Sequence, residues 1–154
     1  MNERMRLEAK GPVRPVPVLT GYAEVVSRAV QSWPGVIAAT HWHLYRPTEV
    51  NGADFYVGKE ECGHIHLDGE VHLATSLELR KSLLAHGLAR PFPYYASWVE
   101  TSIRSEAEAK HAIWLFRLNY DRIMGESWQS LNENIAATAR HLGGSLKTLA
   151  QSGA

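Results

Sequence analysis

Residues 60–76 read EECGHIHLDGEVHLATS, with three histidines, His64, His66 and His72, inside nine positions. A β-strand shows alternate side chains to opposite faces. From 64 to 73 the odd positions are Ile65, Leu67, Gly69, Val71 and Leu73; the even ones are His64, His66, Asp68, Glu70 and His72. One face is apolar and the other polar, so the stretch reads as a half-buried hairpin. The two faces stay matched across the turn only if the loop has an odd number of residues. A three-residue loop, Leu67-Asp68-Gly69, does this and puts Gly69 at the left-handed position of a G1 bulge. His64 then faces His72 and His66 faces Glu70, with β-carbons about 4.5–5.5 Å apart.

Working outward, "VIAATHWHLYR" (36–46) reads as a strand and "RPTEVNGAD" (46–54) as a loop whose Asn51-Gly52 marks a tight turn. "DFYV" and "ECGHIHL" are two strands joined at Gly58-Lys59, a glycine-first pair that suits a type II′ turn. Ser76 N-caps the helix "LELRKSLLAH", which stops at Gly87. "LARPFPYYAS" is an irregular, proline-rich connection, and "WVETSIRS" is the last strand. Before the sheet, Thr20 caps a helix carrying Val25, Val26, Ala29, Val30 and Trp33, closed by Pro34-Gly35. After it, Ser105 and Glu108 form a capping box. The helix that follows pairs Glu106 with Lys110, lines one face with Ile113, Phe116, Tyr120 and Ile123, and ends at Gly125. A final amphipathic segment carries Trp128, Leu131, Ile135, Ala139 and Leu142 and is broken by Gly143-Gly144.

Helices flanking a run of hairpin-linked strands give an α+β fold: two layers, with a mainly antiparallel sheet packed against helices. Three parts are expected. Residues 1–19, with Pro12, Pro15 and Pro17, form an extended arm; residues 20–125 form the α+β domain; residues 126–154 form a C-terminal amphipathic helix and tail.

Composition narrows the function classes. The 154 residues suffice for one domain with a real core. Lys+Arg and Asp+Glu both number 16, so no excess positive charge favours nucleic acid or an anionic membrane. The single cysteine, Cys62, allows no intrachain disulfide and fits a reducing compartment. No apolar run is long enough for a signal peptide or a membrane span, so the expected location is the cytoplasm.

Two further strands add to the polar face. If Trp42 and Leu44 point to the core, His41, His43 and Tyr45 point out with the other histidines. If Val99, Thr101 and Ile103 face the core, Trp98, Glu100 and Arg104 join them. Neutral imidazole binds zinc, copper, nickel or iron, and carboxylates complete such sites. The candidate metal ligands are therefore His64, His66, His72 and Glu70, and the candidate small-ligand contacts are His41, His43, Tyr45, Trp98 and Glu100. The cofactor this implies is a divalent transition metal. The alternative is that these histidines are only the wet face of a hairpin, since H-x-H lacks the specificity of an H-E-x-x-H helix or a C-x-x-C pair. Cys62 lies two before His64 and either shares that face as a thiol–imidazole pair or packs as a small strand residue. "RPFPYY" rims a ligand site or covers the sheet end. Arg117 and Arg122 read as a solvated helix face.

The quoted motifs also carry a resemblance. "SWPGV", "ECGHIHLDG", "SLELRKSLLAHGLARPFP", "WVETSIRS" and "AIWLFRLNYDR", in that order over roughly residues 22–123, resemble the luciferase domain family of bacteria and fungi. The label carries no light-emitting chemistry onto this chain. The layout is also similar to the MmcQ/YjbR-like proteins, with "PGV" after the first helix, "WV" on a late strand and Asn119-Tyr120 on a late helix. That resemblance implies the same two-layer α+β fold, which has been likened to DNA-binding modules. In the family pattern a histidine often follows the Arg-Pro after the middle helix; here Arg90-Pro91 is followed by Phe92-Pro93. If that histidine belongs to a site, the site is incomplete in this chain.

Three functional readings follow. The first is a small-ligand or metal-binding domain using the histidine face. The second is a nucleic-acid-binding module, which the zero net charge opposes. The third is an oligomeric interaction protein that pairs as a homodimer through residues 127–142.

Overall fold

The computed structural model describes the backbone of residues 10–152 and the side chains of residues 10–143. Residues 1–9 of the expected arm lie outside the described residues. The elements are α1 (Gly21–Gln31), β1 (Val36–His43), β2 (Arg46–Val57), β3 (Glu60–His66), β4 (Glu70–Leu73), α2 (Leu77–Ala85), β5 (Arg90–Pro91), β6 (Val99–Ser102), α3 (Glu106–Ile123) and α4 (Trp128–Ser152). The strands form one six-stranded sheet in the order β1-β2-β3-β4-β6-β5, with every neighbouring pair antiparallel. With the four helices this is a two-layer α+β fold.

The hairpin that opened the sequence reading folds as its alternation dictates. His64 pairs with His72 and Ile65 with Val71, and Gly69 closes the loop at φ +88°. Ile65, Val71 and Leu73 are fully buried in one core with Phe55, Leu79, Leu83, Leu115, Phe116 and Leu118. Burying a side chain of this size contributes roughly 1.5–3 kcal/mol. Two of the three expected helix caps form, with Ser76 Oγ accepting from the Leu79 amide and Ser105 Oγ from the Glu108 amide, while the Thr20 side chain makes no cap bond. Asn119 is buried beneath the sheet and donates to the carbonyls of Cys62 and Ala74.

Several expectations are corrected. Residues 46–54 are not a loop. They are the first part of a long β2, and the turn lies at Leu44-Tyr45, between paired His43 and Arg46. Gly52 sits inside the strand because a β-carbon there would stand 1.9 Å from the Ile65 carbonyl oxygen: the glycine serves close approach of β3, not a turn. Arg90-Pro91 is a short edge strand, where proline's missing N–H costs no ladder bond. Arg122 is not on a solvated face; it donates to Asn119 Oδ1 and the Ala74 carbonyl. Val25 is exposed, and α1 buries Ala23, Val26, Ser27 and Val30 instead. Gly143-Gly144 does not break the last helix, which runs on to Ser152. Each glycine in a helix interior costs about 1 kcal/mol relative to alanine, a bias that a long helix absorbs.

Two termini meet this frame. Residues 12–15 lie along β1: Pro15 bridges Ala39, the Thr40 amide donates to the Arg14 carbonyl, and Trp42 Nε1 donates to the Pro12 carbonyl. The arm therefore covers the free edge of β1. At the other end, α4 turns Leu131 and Ile135 into the chain's own core and packs Ala139 against it. Trp128 and Leu142 are what the stripe leaves exposed.

Candidate functional site

The face of the sheet opposite the core is ordered by register. Ala39, Asp54, His64, His72, Glu100 and Arg90 form one cross-strand row over β1, β2, β3, β4, β6 and β5. The next row sets His41 opposite Gly52 and Gly52 opposite His66. Because Gly52 has no side chain, the rings of His41 and His66 meet above it, centroids 4.9 Å apart. His41 also stacks on His64 at 4.0 Å. Four histidines, from β1, β3 and β4, thus converge.

A β-bulge brings in a residue that simple alternation places on the wrong side. Phe55 pairs with Gly63 but Tyr56 pairs with Glu61, so Cys62 is skipped. The skip reverses face parity. Glu61 turns to the histidines, and Cys62 turns to the core, where its Sγ lies 3.8 Å from the Phe116 carbonyl oxygen. Burial pushes the Cys62 thiol up to about 12, so it is no nucleophile and forms no pair with His64.

Each of three histidines has its Nδ1 engaged by a neighbour. His41 Nδ1 lies 2.7 Å from Asp54 Oδ1, His64 Nδ1 lies 2.9 Å from Glu61 Oε1, and His66 Nδ1 lies 2.9 Å from the Asn51 side-chain amide. That amide meets either tautomer, since it offers NH2 or carbonyl by rotation. With Nδ1 held, the second nitrogen of each ring is Nε2, and those of His64 and His66 both meet His72. One ligand atom from each of His41, His64 and His66 lies within 4.8 Å of the others. His72 stands beside them, its Nδ1 3.0 Å from His64 Nε2 and 3.1 Å from His66 Nε2. Its own Nε2 lies 3.6 Å from Glu100 Oε2.

The surface is not simply wet. His64 is only 6% exposed, and His66 and His72 are half-buried. Burial, reinforced by the His41 ring, holds His64 well below the usual imidazole range. Burial likewise brings His66 down to about 4 and lowers His72. All three are therefore neutral at pH 7, the form that binds metals.

The remaining expected residues divide. Trp98 lies against the cluster, its ring centroid 6.0 Å from that of His64, and the Phe92 ring centroid stands 4.4 Å from that of His72. Phe92, Tyr95 and Trp98 pack together, and Arg80 donates to the backbone carbonyls of all three. His43 and Tyr45 are not at the site. Register shifts on both sides of Trp42 rotate the end of β1, so neither Trp42 nor Leu44 is core; Tyr45 is 84% exposed in the turn and His43 Nδ1 accepts from its amide. Glu70 does not answer His66: its carboxylate accepts from Ser102 Oγ and Arg90, with Arg104 nearby, drawn to the cations at the sheet edge.

Three residues were missed. Asp54 and Glu61 are buried beside the histidines, and the ammonium of Lys10, from the arm, lies 2.6 Å from Glu61 Oε1 and 3.4 Å from Asp54 Oδ1. Only Asp54 had a signal, as a lone carboxylate in the otherwise apolar "GADFYV". Glu61 depended on the bulge and Lys10 on where the arm docks.

No helix among the described residues is long and apolar enough to cross a membrane. No curated protein and no solved structure matches the chain. The chain resembles the luciferase domain family, whose model matches residues 59–119, a stretch that carries Glu61, His64, His66, His72 and Trp98 but neither His41, Asp54 nor Lys10.

Proposed function

We propose that this protein is a metal-binding domain whose centre is the imidazoles of His41, His64 and His66, with His72 beside them, and whose ligand is a divalent transition metal. One observation carries the reading: one ring nitrogen from each of three histidines on two strands lies within 4.8 Å of the others, while Asp54, Glu61 and Asn51 each engage the Nδ1 of one ring. Metal-bound histidines almost always have the second nitrogen held this way, which sets the tautomer and raises ligand basicity. A purely structural cluster explains the contacts less well. His64 Nε2 and His66 Nε2 both address His72 Nδ1, an atom with one lone pair or one proton, so a single linear hydrogen bond serves only one of them. A metal ion removes that conflict.

Three imidazoles suit zinc, iron(II), nickel or copper, and they leave a coordination position open for water or a small molecule. Trp98 and Phe92 flank the histidines, where a planar organic ligand on the metal would stack. Cobalt(II) titration of the metal-depleted protein tests the reading. Visible d–d bands that saturate at one ion per chain, and that vanish in His66→Ala, are expected. A titration with no bands, or bands unchanged in His66→Ala, overturns it.

A further inference from the structure

Asp54 and Glu61 are both buried on the histidine face, and each leaves one oxygen bare. Asp54 Oδ1 faces His41 and Lys10, and Glu61 Oε1 faces Lys10 and His64. Asp54 Oδ2 and Glu61 Oε2 have no hydrogen-bond partner among the described residues. A buried, unpartnered carboxylate oxygen is costly, so two together mark an unfilled demand for positive charge. Among the described residues the only lysine or arginine paired with them is Lys10, and it comes from the docked arm rather than from the sheet. One ligand atom from each of Asp54, Glu61 and His64 lies within 4.8 Å of the others, His64 Nδ1 being 3.8 Å from Asp54 Oδ1 and 2.9 Å from Glu61 Oε1.

We infer that Asp54, Glu61 and His64 Nδ1 form a second divalent-cation position, for which the Lys10 ammonium is a tethered occupant, so that the N-terminal arm and a metal ion compete for it. The proposal extends the metal reading above and shares His64 with it, through the other ring nitrogen. Two carboxylates and one imidazole suit an ion of the manganese(II), iron(II) or zinc class. The Lys10 ammonium leaves with its proton when the ion binds. With the first centre empty the His64 proton moves from Nδ1 to Nε2 and the ring binds as neutral imidazole; with it filled the proton passes to solvent and the ring bridges the two ions as imidazolate. Glu61 then changes from hydrogen-bond partner of His64 to fellow ligand.

Manganese(II) binding, counted by the electron paramagnetic resonance signal of the free ion, tests this in the full chain. His66→Ala silences the first centre. Adding Lys10→Met, which keeps the stem and removes the charge, is expected to give one manganese(II) per chain with affinity at least tenfold above His66→Ala alone. A further Asp54→Asn change is expected to abolish that ion. Equal or absent binding with and without Lys10→Met overturns the proposal and leaves Lys10 as a structural ion pair. If wild type binds no cobalt(II) while Lys10→Met/His66→Ala binds manganese(II), the histidine centre fails and this one stands. The wild-type chain gives a check free of folding defects: manganese(II) is expected to speed trypsin cleavage after Lys10 severalfold, and an unchanged rate counts against the competition.

Discussion

The imidazoles of His41 and His64 lie face to face, centroids 4.0 Å apart and 13° from parallel, and each gives its Nδ1 to a different buried carboxylate. The stack fixes the ring planes, and the carboxylates fix the rotation within them. Together they set where Nε2 points before any metal arrives. Such preorganisation comes from register, because Asp54 is the cross-strand partner of His64 and lies two residues from Gly52, the partner of His41.

Asp54→Asn keeps the shape and removes the charge. It is expected to weaken metal binding at the histidine centre about 10–100-fold, the usual effect of losing a ligand's carboxylate partner. Competition against a chromophoric chelator measures it. Affinity equal to wild type would mean that Asp54 does not orient His41.

The metal-free protein is expected to lose stability as pH falls. His64, His66 and His72 all titrate lower in the folded chain than the ordinary 6.5, His66 at about 4, and burial is the leading cause for each. Between these limits the unfolded chain binds protons that the folded chain does not, so stability is full above about pH 6.5 and declines towards pH 4. Allowing for the part-exposed edge of its ring, His66 alone contributes on the order of 1–2 kcal/mol to this decline. Thermal melts in chelator across this range measure it; a flat profile would contradict the burial argument.

Gly52→Ala places a β-carbon 1.9 Å from the Ile65 carbonyl oxygen and 2.9 Å from His66 Cα. Backbone has to move, so β2 and β3 part where His41 and His66 meet. We expect a loss of about 3 kcal/mol or more in urea unfolding, in the range reserved for strained or overpacked positions. A loss under 1 kcal/mol would show that the strands tolerate separation.

Arg80 ties down the aromatic loop beside the histidines through the carbonyls of Phe92, Tyr95 and Trp98, the last at 2.7 Å. Arg80→Ala leaves those carbonyls without their charged donor. The expected cost is roughly 1–3 kcal/mol, with a weakened near-ultraviolet circular dichroism signal from the loosened rings. Unchanged spectra and stability would mean that the loop is held by ring packing alone.

Much of this architecture is legible in the residues themselves. Strict alternation from His64 to Leu73 gives the hairpin, its loop and its faces, and the serine caps of α2 and α3 mark their helices. What alternation does not reveal is a break in itself. One skipped residue at Cys62 exchanges the faces of Glu61 and Cys62, and no local feature of "EECGH" announces it. Asn51-Gly52 carries the chemistry of a turn but serves an interstrand contact, which only the approach of β3 makes visible. The bend at Trp42 removes His43 and Tyr45 from the face that period-two counting assigns them. Lys10 reaches the site through tertiary docking of an arm, and no periodicity encodes that.

The central claim is that the histidines hold a metal, and elemental analysis of the purified, untagged protein beside a His41→Ala/His66→Ala variant tests it most directly. Both rings are part-exposed, so the variant leaves the core untouched. The account predicts about one transition-metal ion per chain in the wild type, of the class three imidazoles favour, and none at that centre in the variant. Wild-type protein that stays free of zinc, iron, nickel and copper even after incubation with each, and that melts at the same temperature with and without them, would contradict it.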